Sequence, residues 1–526
     1  MMQQMSKPTF VMGRRLCNGR ASSLLSCRHQ SSALDSDLPG GTGAPTSGRT
    51  YTQVAVQPRC LPAVSVTAWI SDLAANATLD DLSDVTVARS KRMMLDTLGV
   101  GILGFGSEAT RKIMSCMLQC YSTTKGESAI WGSNGKTASP PIAAFINGIS
   151  VHSMDFDDTW DPATHPSGPV LPAVMALAES LTGDYRPTLA DMLVAYNVGI
   201  QVQGLLLRCS DSARAIPDRF HPPAVVGVMG SAAACARLLG AGPSTVRHAL
   251  AVATSFAGAP MANAGTPTKP VHAGKAARFG MEAALMASYG LSGNHDILDM
   301  KSGFGAFYHD YDPESFLAAH SSNKHFILHS QDVAIKRYPA HLGMHWTIDA
   351  TMAVREAILA SGSTFRQVRP EDVMSIIIRA PPSKYINRPL PSTTDEARHS
   401  FQFNACTALL DGEVTPDSFI LSYMRRPQLH ALLRKTTLET PADNVATFQD
   451  MYVEIQVTMK NGEVFKGRCD TPYGHWRHPL TRADLEKKFL TNTKDMSFNH
   501  QRSLIATVDL MNTDEKADDL FEMLRG

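Results

Sequence analysis

Between Val151 and Gly168 the chain reads VHSMDFDDTWDPATHPSG. Four acids (Asp155, Asp157, Asp158 and Asp161), two histidines (His152 and His165), two threonines and a tryptophan crowd this stretch. Apolar, helix-compatible runs flank it, Ile142–Ile149 before and Val170–Leu181 after. Titratable groups wedged between core-type helices are costly unless they are paired or used. Pro162, Pro166 and Gly168 break helices, so the spacing predicts an ordered loop forming one wall of an active site. The plainer role for these acids is to cap the next helix or pair with a lysine.

Four further places set polar groups beside Pro, Gly or small residues: Arg219-Phe-His221-Pro-Pro223; Ala259 to Asn263 with Thr268-Lys269-Pro270-Val-His272; Lys336-Arg337-Tyr338-Pro-Ala-His341; and Tyr385-Ile-Asn387-Arg388-Pro389 with Arg398-His399-Ser400. Taken singly, a histidine before Pro-Pro reads as structural and a Lys-Arg pair as solvated surface. Together, two lysines, two or three histidines and a tyrosine at helix ends make a site for a small polyanion. Lysine supplies a mobile point charge for carboxylate, and histidine moves protons near neutral pH. There is no Walker loop, dinucleotide fingerprint, His-Glu-x-x-His helix, Cys-x-x-Cys pair or nucleophile elbow. No residue pattern calls for an organic cofactor.

The elements that must hold these residues follow from pattern. The 526 residues suggest roughly two to four domains. Lys+Arg and Asp+Glu are equal at 49 each, which removes the blanket basic surface of a nucleic-acid binder. No charge-free run of membrane-spanning length is present, so no membrane insertion is expected. Nine scattered cysteines form neither a disulfide framework nor a zinc spacing. Residues 1–34 lack Asp and Glu but carry Lys7, Arg14, Arg15, Arg20 and Arg28 among serines, the composition of a mitochondrial transit peptide. Pro39–Thr50 reads as a linker. Helical text follows from Val64, with long stretches at Leu189–Leu207, Ala224–Leu239, Ser244–Phe256 and Ala273–Tyr289; Ser244 is the expected N-cap of the third and Gly290 the C-cap of the last. Their Ala and Gly fall on several faces, which predicts a thick all-helical body. After about residue 335 the pattern changes. Val373–Arg379 is β-branched, and Tyr452–Lys460 alternates with period two into Asn461-Gly462, a hairpin signal. Helical spacing returns from Thr481. The expected fold class is mainly α with a smaller α/β domain. The expected divisions are 1–60 (transit peptide and linker), 61–335 (helical), 336–470 (α/β lid) and 471–526 (helices rejoining the first domain).

At these same residues the sequence resembles the MmgE/PrpD family, which includes 2-methylcitrate dehydratase. The matching text is SKRMMLDTLG (90–99), HSMDFDDTW (152–160), PATHPSG (162–168), RFHPP (219–223), AGAPMANA (257–264), TKPVH (268–272), GFGAFY (303–308), QDVAIKRYPAHL (331–342), EARHSFQ (396–402) and YGHWRHPL (473–480). The resemblance implies a large helical domain, a smaller lid, a homodimer and a cofactor-free, metal-free site between the domains. It assigns catalytic positions to His165, His221, Asp155 and Tyr385, and substrate binding to Thr159, Lys269 and Lys336. It further implies loss of carbon dioxide from the tricarboxylate cis-aconitate to give itaconate, in mitochondria and in antimicrobial metabolism. A dehydratase-like hydro-lyase on a related tricarboxylate is the alternative. Two positions depart from the expected pattern, Asp161 in place of His and Gly265 in place of Ala. In this reading Lys269 and Lys336 bind carboxylates, His165 or His221 delivers a proton, and Asp155 orients one histidine and holds it protonated. Two remoter readings are a metal-dependent isoprenoid synthase, since residues 157–161 match DDxxD, and a helical scaffold that has lost its site.

Overall fold

The computed structural model describes residues 65–121, 126–214, 218–323, 325–361, 367–383 and 387–525. The expected transit peptide and linker, and the candidate Tyr385, lie outside the described residues.

The apolar runs become helices that bury more than one face. The principal ones are α1 (Asp84–Gly104), α2 (Pro140–His152), α3 (Ser167–Ser180), α4 (Leu189–Arg208), α5 (Pro222–Leu238), α6 (Pro243–Phe256) and α7 (Lys269–Ser288). Every residue of α2 from Ile142 to His152 is buried, as is every residue of α5 from Pro222 to Ala236. Small residues permit this depth of packing. A Cβ on Gly148 of α2 would stand 2.8 Å from the Gly274 Cα of α7, and one on Gly274 would stand 2.4 Å from the Phe145 carbonyl oxygen. The two backbones therefore cross at closer range than any other residue pair allows. Helix α4 is long and apolar enough to cross a membrane by composition, yet its side chains are spent in this core.

Prolines start several of these helices, where the missing N–H is unneeded and φ is already set. The cap before α6 is accordingly Gly242, with Pro243 as the first helical residue, rather than the expected Ser244. Gly168 is likewise not a breaker: α3 begins at Ser167 and carries Gly168 inside its first turn, so the acid-rich loop is shorter than expected. Gly290, at φ 92°, follows α7 in the left-handed conformation that ends helices. The first body is not entirely helical. Ser128–Ala129 (β1) and Thr137–Ala138 (β2) form a small antiparallel pair that periodicity could not flag at two residues each.

A second core gathers around a four-stranded sheet. Its strands are β3 (Val373–Arg379), β4 (Thr436–Glu439), β5 (Val453–Met459) and β6 (Val464–Cys469), in the order β4-β3-β5-β6. Val453, Ile455, Val457 and Met459 point inward, and the Asn461-Gly462 turn joins β5 to β6 in antiparallel register. The short edge strand β4 pairs parallel to β3 and escaped the pattern reading. Helices α8 (Gly343–Ala360) and α9 (Phe401–Asp411) cover the sheet. Beyond it, α10 (Arg482–Asn492) and α11 (Phe498–Asp509) return Leu485, Phe489, Leu504, Ile505 and Val508 to the helical core.

Candidate active site

A cavity of about 430 Å³ opens between the two cores. The helical side contributes Thr159, His165, His221 and Lys269; Lys336, His341, Arg388 and His399 face them from the other side. Six of the seven sequence-derived candidates can be placed. Five of them (Thr159, His165, His221, Lys269 and Lys336) line this cavity, and Asp155 is bonded to the two lysines. The seventh, Tyr385, is outside the described residues, two positions from the lining residue Ser383.

Local structure explains the convergence. His221 is the N-cap of α5, turned out of the helix by Pro222. Lys269 opens α7, so its stem starts at the helix end that faces α2. Lys336 follows a two-bond bridge in which Thr159 and Ala334 exchange N–H···O bonds of 2.9 Å each, tying its segment to the acid-rich loop.

Asp155 is the hub of the cationic side. It has φ 50°, a left-handed conformation costing a non-glycine residue roughly 1–2 kcal/mol. Its partners hold it there: Lys269 Nζ donates to Oδ1 at 2.5 Å, Lys336 Nζ donates to the backbone oxygen at 2.9 Å, and His399 Nε2 lies 3.5 Å from Oδ2. Burial alone would raise this carboxyl, but the Lys269 and Lys336 ammoniums outweigh it and hold Asp155 well below the usual range. Burial pulls Lys336 down, against the pull of Asp155. The sequence reading assigns Asp155 one histidine to orient without saying which, and it is neither His165 nor His221 that stands beside it. The imidazole it faces is His399, because the loop turns its Oδ atoms toward the small domain.

The carboxylate beside His165 is Asp157. Its Oδ2 takes His152 Nδ1 at 2.7 Å and stands 3.3 Å from His165 Nδ1, which also donates to the Asp158 backbone oxygen at 2.9 Å. Burial works against its ionisation, yet His152 and His165 hold it well below the usual range. Asp158 points elsewhere, to the hydroxyl of Ser167, which is itself bonded to Tyr196 Oη at 2.6 Å. Burial pushes Asp158 up to about 8, so it is a neutral acid at pH 7. Asp161 takes a hydrogen bond from Gln449 at the cavity wall. The acids of the DDxxD pattern thus face three different partners and do not converge on a metal, which removes the isoprenoid-synthase reading.

His221 Nδ1 lies 3.2 Å from His272 Nδ1, and burial together with His152 and Lys269 holds His221 well below its usual value. Ring nitrogens of His152, His165 and His221 fall within 4.8 Å of one another. Two ligands on one tetrahedral zinc sit roughly 3.4 Å apart for bonds of about 2.1 Å, so these rings would have to close up to share an ion. Sequence reasoning passed over His152, Asp157, His272, His341, Arg388 and His399, although each stood inside a motif it noted. Nothing in the text says which of four neighbouring acids faces which ring.

Two family descriptions match the chain: the MmgE/PrpD N-terminal domain over residues 68–316 and the MmgE/PrpD C-terminal domain over 338–513. Among curated relatives, a cis-aconitate decarboxylase of Mus musculus is 47% identical over 464 residues, covering 88% of this chain and 94% of that protein. One of Homo sapiens is 48% identical over 447 residues, 85% of this chain and 91% of that protein. A 2-methylcitrate dehydratase of Cupriavidus necator is 24% identical over 438 residues, 77% of this chain and 85% of that protein.

Proposed function

The chain belongs to the MmgE/PrpD family, and from that premise we propose that it is a carboxy-lyase that converts cis-aconitate to itaconate and carbon dioxide. The observation that carries this reading is the buried charge at Asp155. Two lysines, 7% and 1% exposed, share one aspartate. Surplus buried cation is costly unless an anion completes it, and a substrate carboxylate is such an anion. The far higher identity to the two mammalian decarboxylases than to the dehydratase supports decarboxylation over hydro-lyase chemistry.

The reaction fits these residues. When the methylene carboxylate leaves as carbon dioxide, its bonding electron pair stays on the allylic carbon. The pair delocalises through the double bond to the former vinyl carbon, which carries its own carboxylate and becomes enediolate-like. One proton delivered to that carbon completes itaconate, so atoms and charge balance without an outside oxidant or reductant. Lys269 and Lys336 stabilise carboxylates from buried positions, where fixed charges act more strongly than in water. His165, which has Asp157 beside it, supplies the proton. Among the described residues no carboxylate lies within salt-bridge range of His221, and we assign it to binding and orientation; Thr159 is part of the binding wall, and Tyr385 keeps the catalytic role that the family resemblance implies. We propose further that the working protein is a homodimer in the mitochondrion, where it serves antimicrobial metabolism.

Purified protein incubated with cis-aconitate in heavy water tests the reaction. Itaconate should form with one deuterium in its saturated methylene and none in its alkene methylene. Label at the alkene terminus would refute the allylic route, and a hydrated product without carbon dioxide would return the hydro-lyase reading.

A further inference from the structure

We propose that Asp157 and His152 are a positioning pair that fixes the tautomer of His165, so that its Nδ1 is committed to the protein and its Nε2 delivers the proton to substrate. This deepens the reading of His165 as proton donor and rests on it.

The geometry constrains each proton in turn. His165 Nδ1 faces two oxygens that can only accept, the Asp158 backbone oxygen at 2.9 Å and Asp157 Oδ2 at 3.3 Å, with the Thr159 hydroxyl farther off at 3.5 Å. A ring nitrogen between two acceptors carries a hydrogen. The reactive end of the ring is then Nε2, and His165 is a lining residue of the cavity, its side chain 14% exposed. Asp157 is fully buried, and the same oxygen that meets His165 takes His152 Nδ1 at 2.7 Å. His152 ends α2 and is itself fully buried behind the cavity wall. Among the described residues its Nε2 has no hydrogen-bond partner, and its Nδ1 is bonded to the Asp157 carboxylate. A buried imidazole that satisfies one ring nitrogen on a carboxylate and leaves the other unbonded is an expensive way to fill space. As a donor it repays that cost by pinning the carboxylate oxygen next to His165. The His165 and His152 rings also meet edge to face at 4.6 Å, which leaves His165 little room to flip. Asp157 and His152 never reach the substrate themselves. They are positioning residues, and their effect should appear in turnover and not in binding.

The test combines steady-state kinetics with nitrogen spectra of the histidines. Asp157→Asn keeps the side-chain shape but removes the charge; kcat should fall by about 10²-fold or more with KM within about threefold. His152→Asn places a donor nitrogen near the position of Nδ1 and should keep kcat within about threefold, whereas His152→Leu should lose at least tenfold. If Asp157→Asn disturbs folding, the unaltered protein still decides. With 15N-labelled histidine at neutral pH, His152 should be the neutral Nδ1–H tautomer, its signals assigned by their loss in His152→Asn. A His152 protonated on Nε2 instead would overturn the inference, as would a folded Asp157→Asn enzyme with undiminished kcat or a loss confined to KM. His165→Asn separates the two levels of the argument. If it retains turnover, the donor reading fails; if it loses turnover while Asp157→Asn does not, only the positioning pair fails.

Discussion

At the scale of single residues, the site separates two tasks that the sequence left mixed. One carboxylate, Asp155, gathers lysines, and another, Asp157, gathers histidines. Removing a lysine should therefore be felt at the substrate carboxylates and not at the proton. Lys269→Ala and Lys336→Ala should each lower turnover at least tenfold, or ~1.4 kcal/mol of transition-state stabilisation. Melting curves run beside the kinetics should remain cooperative, and a variant that melts and turns over normally would remove that lysine from the site. Asp158 has a different role, visible in stability. Its carboxyl is raised to about 8 in the folded protein, against an ordinary aspartate in the unfolded chain. The folded state holds the extra proton, so this contribution is complete below about pH 4 and is lost as pH rises to about 8, at up to ~1.4 kcal/mol per pH unit. Asp158→Asn imitates the neutral acid and should flatten that part of the decline. Urea midpoints measured from pH 5.5 to 8.5 would reveal it, and an unchanged slope would mean that Asp158 is ionised when folded. The residue types of the site were legible from the sequence, because lysine and histidine beside Pro and Gly at helix ends are conspicuous. Their pairing was not, since Asp155 and Asp157 differ only in where a left-handed turn aims them.

At the scale of elements, the site depends on how closely α2 and α7 approach. His152 ends one helix, and Lys269 and His272 begin the other. Gly148 and Gly274 meet at their crossing, where any side chain collides with backbone. Gly274→Ala must push the helices apart, at a cost of about 1–3 kcal/mol from overpacking. It should also raise KM, because Lys269 moves with the start of α7. Denaturant unfolding and a substrate titration on the same preparation would test both parts, and a variant with unchanged stability and unchanged KM would contradict the argument. Helix positions were readable because apolar spacing survives in a long run: Leu189–Leu207 was expected where α4 spans Leu189–Arg208. Ends were harder. Pro243 displaced Ser244 as the start signal of α6, and Gly168 was absorbed by α3, since a glycine near a helix start is tolerated when the turn is packed. The period-two text of β5 with its Asn-Gly turn was plain, but β4, four residues that alternate half-buried and exposed on a sheet edge, is too short and too polar to read.

At the scale of the whole molecule, the cavity is a property of neither core alone. Lys269 comes from the helical body, while Lys336 lies on the segment between the cores, just after Ile335 of the first and Ala334 of the second. A chemical site assembled this way requires both cores to fold, which is why the matches over 68–316 and 338–513 together span nearly everything the structure describes. The N-terminal segment stands apart from that requirement. Residues 1–34 carry five cations and no acid, with no apolar periodicity that would give them a place in either core. We read this cation-rich, acid-free composition as the import signal of the mitochondrial proposal. A protein begun after residue 34 should therefore fold with the same melting temperature and turn over cis-aconitate at the same rate. Expressed in cells with a fluorescent tag at its C-terminus, it should remain in the cytosol, while the full chain collects in mitochondria. Import of the shortened protein at the full rate would show that the address lies elsewhere, and loss of activity without loss of import would show that the segment serves the fold instead.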